Sequence, residues 1–131
     1  MKFRLNVVRR PGYLQVQVWG DNSVETIRKY VREVRLACVH HDCFAVLIEE
    51  DLQGPGLGLG EMYEVISEQS RDRSPWIRSI ALVDVNPEHN PEDMKFAETA
   101  AMNRAMNFRV FPTVADAESW IRQEPARAAR A

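Results

Sequence analysis

The stretch Cys43-Phe44-Ala45-Val46-Leu47-Ile48 is apolar at every position and then turns acidic at Glu49-Glu50-Asp51. A run of this length with no polar alternation, carrying Val and Ile, predicts a strand covered on both faces and therefore central in a sheet. "WIRSIALVDV", residues 76–85, is a second run of the same kind. Two such strands require helical layers to cover them, and the intervening segments supply those layers.

"FRLNVV" and "YLQVQVWG" are joined by Arg9-Arg10-Pro11-Gly12. Proline presets the first central dihedral of a turn and glycine tolerates positive φ at the second, so the pair predicts a type II-like hairpin. In the second run Leu14, Val16 and Val18 share one face, and Gln15 and Gln17 the other. Residues 21–39 then predict a helix, with Asn22 as cap, Glu25 completing a capping box, and Val24, Ile27, Val31, Val34 and Cys38 as the apolar stripe. A second helix follows from Leu59 to Gln69, with Met62, Val65, Ile66 and Gln69 on one side. Glu92 to Met106 predicts a third, whose Ala97, Ala100, Ala101 and Ala105 permit close packing. "FRVFP" is a short last strand. Thr113 caps a fourth helix that turns Ala117, Trp120 and Ile121 inward and stops at Pro125.

The order β-β-α-β-α-β-α-β-α predicts a single α/β domain with a mixed sheet of about five strands and about four helices, parallel after the opening hairpin. The domain spans residues 1–124, and 125–131 form a frayed tail. At 131 residues such a chain buries roughly two thirds of its unfolded surface. Hydrophobic residues at 45% and charged residues at 27% match an ordered globular domain. A formal net charge of −2 and a pI near 5.9 give no electrostatic pull toward nucleic acid. No apolar run is long enough to span a bilayer, and the start "MKFRLNVVRR" lacks the apolar segment of a signal peptide. A cytoplasmic location with Cys38 and Cys43 as free thiols is the expectation.

The junction "EEDLQGPGLGLGEMYEVI", residues 49–66, places four glycines in seven positions after a central strand. A phosphate loop needs Lys and Ser or Thr at the helix start, whereas Gly60 is followed by Glu61-Met62. The dinucleotide spacing fails in both registers, since the sixth position is Leu59 or Glu61. Glu49, Glu50, Asp51 and Glu61 would repel a phosphate as well. The run therefore predicts a strand-to-helix turn or lid, with Glu61 as the anion at the helix N-terminus. It lies beyond the carboxyl end of a central strand, where α/β sheets bind ligands. The candidate binding residues are accordingly Gln53, Gly54, Gly56, Leu57, Gly58, Leu59, Gly60 and Met62.

Other constellations predict packing. Of the acidic triplet, only Glu49 and Asp51 share a face, and a solvated strand end is favoured over a cation site. "CVHHDC" compresses four zinc-competent side chains into six residues, which favours core cysteines and loop histidines. His89 is expected in solvent within a Pro- and Asn-rich loop. Trp19, Trp76 and Trp120 favour packing over a stacking platform. No nucleophile with a paired base emerges, and neither a cofactor nor a metal is expected.

Several of these segments together resemble a known family: Trp19-Gly20-Asp21 before the first helix, "FAVLIEED", "RSIALVDV", and the C-terminal block "FAETAAMNRAMNFRVFPTVADAESWI" with Phe96, Glu98, Asn103 and Arg104. The chain resembles the SpoIIAA-like proteins of the STAS group, whose founding members are bacterial anti-sigma factor antagonists. The resemblance extends to about Arg122 and rests on packing motifs. It implies a SpoIIAA-like fold and a regulatory role through another protein. Those antagonists carry a phosphorylatable serine at the junction after the central strand. Here that stretch is Leu52-Gln53-Gly54-Pro55-Gly56-Leu57-Gly58, and no hydroxyl lies between Phe44 and Met62, so the phospho-switch has no acceptor.

The expectation is thus a non-catalytic regulatory or protein-interaction module, engaging another protein or itself, with an edge strand available for a homodimer. The alternative is a carrier or sensor of a small apolar ligand such as a fatty acid, implied by the kinship of the group to Sec14-like folds. Leu52, Leu57, Leu59, Met62, Met94, Phe96 and Met102 would line its pocket beneath the glycine lid.

Overall fold

The structure, a computed structural model, describes residues 3–71 and 77–130. Trp76 lies outside the described residues. Five strands form one sheet in the order β1 (Phe3–Arg10), β2 (Tyr13–Asp21), β3 (Ala45–Gln53), β4 (Ser79–Asp84) and β5 (Phe108–Val110). Only the β1–β2 hairpin is antiparallel; the other three pairings are parallel. The hairpin pairs Arg10 with Tyr13 across Pro11 and Gly12, and Gly12 adopts the positive φ of 84° that its turn position needs.

The described residues also form four helices: α1 (Val24–His41), α2 (Leu59–Arg71), α3 (Pro91–Met102) and α4 (Val114–Arg130). Because each parallel strand is laid beside the last and crossovers are right-handed, α1, α2 and α3 cover one face of the sheet. On that face Leu14, Val16, Val18, Val46, Ile48 and Leu82 pack with Tyr30, Val34 and Cys38 of α1. On the other face Tyr13, Ala45, Leu47, Ala81 and Val83 pack with Ala117 and Ile121 of α4. β3 is central and buried on both sides, as its unbroken apolar run predicts.

Several helix ends differ from the sequence expectation. Ser23, not Asn22, caps α1: its side chain accepts from the Thr26 N–H at 3.1 Å. The α1 stripe is rotated, so that Thr26 and Tyr30 are buried with Val34 and Cys38, while Val24, Ile27 and Val31 are half-buried. α3 ends at Met102 rather than Met106. Met106 N–H bonds back to Ala101 O at 3.0 Å and Ala105 takes a positive φ of 62°, a left-handed helix stop in which Ala105 is exposed. The helical backbone of α4 continues past Pro125 to Arg130, where the sequence places a stop. Thr113 does cap α4, accepting from the Asp116 N–H at 3.2 Å.

The two sheet edges are unequal. β1 leaves its outer side open. At β5 the outward N–H of Val110 is taken by Glu98 Oε2 at 2.8 Å, reaching across from α3.

Candidate functional site

At the carboxyl ends of β3 and β4, the β3–α2 segment is tied to its neighbours carbonyl by carbonyl. Asn22 N–H donates to Gln53 O at 2.8 Å, and its side-chain amide donates to Pro55 O at 2.8 Å. The buried Asn86 amide donates to Leu52 O at 2.8 Å. His89 Nε2 lies 3.0 Å from Gly54 O. The first half of the glycine run is therefore anchored at every carbonyl from Leu52 to Pro55.

His89 is the centre of this anchor and is not solvated as the sequence suggests. Its side chain is 6% exposed, and Nδ1 sits 2.7 Å from Asp84 Oδ2, itself 7% exposed. Both ring nitrogens face acceptors, a carboxylate and a carbonyl, an arrangement that a doubly protonated ring satisfies best. The Asn22 and Asn86 amides approach Nε2 only to 3.4 Å while donating elsewhere at 2.8 Å. Burial pulls the imidazole pKa down, but the hydrogen bonds to Asp84 and Gly54 and the charges of Asp84 and Glu50 outweigh it and hold it above the ordinary value. The ring bridges β4 to the loop, and these contacts favour its charged form.

Beneath the loop, Glu50 points into the α1–α3 side, 7% exposed, and accepts from the buried Tyr30 hydroxyl. Burial raises its carboxyl from 4.5 to about 7; the Tyr30 hydrogen bond and His89 charge work against that rise, and Asp84 adds to it. Burial, then the neighbouring Glu50, pushes the Tyr30 hydroxyl well above its usual range, so it remains a donor. Glu49 and Asp51, the pair sequence alternation sets together, lie on the opposite face. Glu49 accepts from Gln15 there at 2.9 Å, and Asp51 from Gln53 at 2.7 Å.

A cavity of about 150 Å³ lies between α1, α2, α3 and the sheet, with Glu50, Asp84 and His89 at its loop end. Ile27, Val31 and Val34 wall it on α1, Met62, Val65 and Ile66 on α2, and Ile48 and Leu82 on the sheet. It exists because α2 packs on α1 and α3 rather than directly on the strands, and because two of the α3 residues that face it, Ala97 and Ala101, are small. Arg28 clamps α2 to α1 through Glu68 at 2.5 Å and Glu64 at 3.2 Å, and Arg35 donates to Gln69 at 2.9 Å.

Of the eight sequence candidates, Gly56, Leu57 and Met62 line the cavity. Gln53, Gly54, Gly58, Leu59 and Gly60 are exposed around its rim. Gly58 N–H donates to Glu61 Oε1 at 3.1 Å, so Glu61 does occupy the anion position at the start of α2. Of the proposed apolar lining, Leu57, Met62 and Met94 reach the cavity. Leu52 is fully buried in the core, and Leu59, Phe96 and Met102 are exposed. The volume is below the roughly 300–1,000 Å³ of pockets for drug-sized ligands.

Of the four glycines in the run, only Gly54, at φ 108°, needs a glycine backbone; a Cβ at Gly54, Gly56 or Gly60 meets nothing within 4 Å. Gly54→Ala is accordingly expected to cost about 1–2 kcal/mol through backbone strain, whereas Gly56→Ala and Gly60→Ala should change urea stability by less than about 0.5 kcal/mol. Equal losses at all three would show that the run is held sterically. Elsewhere, Cys38 is buried in the α1 stripe with its thiol pushed by burial up to about 12, Cys43 is buried at the start of β3, and His40 is exposed. Trp19 is partly exposed beneath Arg4, and Trp120 is half-buried against Phe111. Among the described residues, no helix is long and apolar enough to cross a membrane.

Sequence reasoning missed Tyr30, Glu50, Asp84 and His89. The available signal was Asp84 at a strand end with His89 five residues on, beside a loop entering from the neighbouring strand.

No protein-family model and no curated protein sequence matches the chain. Among solved structures, one similar fold is the crystal structure of an uncharacterized protein from the DUF3478 family with a SpoIIAA-like fold, from Shewanella loihica PV-4. The two share 16% identity and a TM-score of 0.56, over 91% of this chain and 93% of that one. At that identity the likeness speaks for architecture alone. Strand and helix order, mixed sheet and near-complete coverage together give this chain a SpoIIAA-like fold.

Proposed function

We propose that the protein is a non-catalytic regulatory module that engages a partner protein through the glycine loop and the solvent face of α2. The observation that carries this reading is the pair Leu59 and Tyr63, one helical turn apart, 50% and 49% exposed beside the loop. Large apolar side chains left in water at the ligand-bearing edge of an α/β sheet are the ordinary material of interaction hot spots. Arg104 of the α3–β5 connection lies over the Tyr63 ring at 4.5 Å, adding a cation and a flat aromatic surface to the same patch. A shallow groove bounded by Tyr63, Glu64, Ser67, Arg71 and Arg104 continues it.

The chemistry of the site supports binding over turnover. Both nitrogens of His89 are committed to Asp84 and Gly54, and neither is directed at a hydroxyl or thiol. The loop has no phosphoryl acceptor, so control through it acts by contact rather than by modification.

A photo-crosslinking residue placed at Leu59 is expected to give a discrete protein adduct in the native cells. The same residue at Leu36, 57% exposed on α1, should give none. The adduct at a crosslinker in position 63 should disappear in the Leu59→Asp variant, with the melting temperature unchanged. Adducts from position 36 alone, or persistence in Leu59→Asp, would overturn the surface assignment.

A further inference from the structure

The cavity beneath the glycine loop has a composition that selects a ligand. Its wall is apolar along α1, α2 and the sheet, and its loop end carries Glu50, Asp84 and Asp93. Tyr30 donates to Oε2 of Glu50, and a carboxylate has further acceptor sites beyond one hydrogen bond. The other charged and titratable groups lining the cavity are Tyr30 and Arg35 of α1 and His89 of the β4–α3 loop; α2 contributes only uncharged side chains. Arg35 is engaged by Gln69, near the end of α2 remote from the loop. His89 is engaged by Asp84. The loop end therefore holds more acid than base.

We propose that this cavity is a binding site for a small amine, a benzene-sized apolar body carrying a protonated amino group that Glu50 accepts. Volume fixes the body: an apolar cavity of about 150 Å³ takes benzene-sized guests, and this one has the same volume. Charge fixes the head: a cation at Glu50 regains the pairing that a buried carboxylate requires, while a carboxylate ligand meets Glu50, Asp84 and Asp93 head-on. Entry is through the second half of the loop. Gly56 and Leu57 are beyond the anchored carbonyls of Leu52 to Pro55 and form the cavity's lid.

The occupied cavity would press on Leu57 and Met62, directly beneath the exposed face that carries Leu59 and Tyr63. Ligand control over partner binding follows, and that consequence alone rests on the function proposed above.

Three probes of one shape test the site: benzylamine, toluene and benzoate, titrated into the whole protein and followed by amide chemical shifts at pH 8. Benzylamine is expected to saturate with shifts at Gly56, Leu57, Met62 and Val65, at least tenfold more tightly than toluene, and benzoate should not saturate. Glu50→Gln should remove the tenfold advantage of benzylamine and leave toluene unchanged. Ala97→Leu, which fills the cavity, should abolish both. For wild type, affinity for benzylamine should fall from pH 8 to pH 6 as Glu50 takes up a proton, since its carboxyl titrates at about 7.

Benzoate binding as tightly as benzylamine overturns the proposal, as does an absence of saturable binding by any probe. The wild-type comparison stands even where a variant fails to fold. No partner enters these titrations, so their failure leaves the surface on α2 untouched, and loss of that surface leaves the cavity site standing.

Discussion

His89→Ala is expected to lower folding stability by about 3 kcal/mol at pH 6, because breaking a buried ion pair strands its partner. Asp84 would stay buried without its cation, and the Gly54 carbonyl would lose its donor. Urea unfolding measures the loss, and amide hydrogen exchange localises it. Protection should fall most at Gln53–Leu57, where the loop is hung from Asn22, Asn86 and His89. The effect should shrink with rising pH. The folded imidazole is held above its ordinary 6.5, so its stabilisation is complete below that value and drains away as pH climbs through the raised one. Variant and wild type within about 0.5 kcal/mol of one another at pH 6 would mean that the bridge carries no weight.

Glu50→Gln is expected to do the reverse, stabilising the protein at alkaline pH. A carboxyl that ionises near 7 when folded and 4.5 when unfolded is favoured in the native state only while protonated. Its contribution is therefore present below 4.5 and lost as pH rises through 7, with the sign opposite to that of a salt-bridged carboxylate. At about 1.4 kcal/mol per tenfold change in acidity, the full penalty of ionisation is about 3 kcal/mol. Glutamine keeps an oxygen for the Tyr30 hydroxyl and carries no charge, so most of that penalty should vanish. Thermal melts of the two proteins should coincide near pH 5 and separate by several degrees at pH 8.5, the variant higher. Parallel curves across that range would show that Glu50 does not ionise in a buried setting. Because Glu50 and His89 both favour the low side, wild-type stability should decline from pH 5.5 to pH 8.5.

The architecture was legible in the residues because it is written locally. The apolar run of β3 marks the middle of the sheet, Pro11-Gly12 marks the hairpin, and the 3.6-residue stripes mark α1 to α4. The cap of α1 was misassigned because Asp21, Asn22 and Ser23 are all good capping residues, and box spacing is satisfied from Asn22 to Glu25. The site was hidden for a different reason. Along an unbroken apolar strand, alternation gives no sign of which acid turns inward, so Glu50 looks no different from Glu49. His89 meets Gly54 only because β3 and β4 run parallel and bring two loops side by side, 35 residues apart in the chain. A linear pattern of polar residues in such a loop looks the same whether the residues are solvated or serve as fasteners.

The carboxylate that Glu98 places on the outward amide of Val110 has a bearing on assembly. A sheet with two bare margins can recruit neighbours on either side and grow into a ribbon. Here one margin is plugged by a side chain from the same molecule, and the eight residues of β1 form the other. Two molecules that zip together along β1 present only plugged borders to a third, so such pairing closes on itself at two.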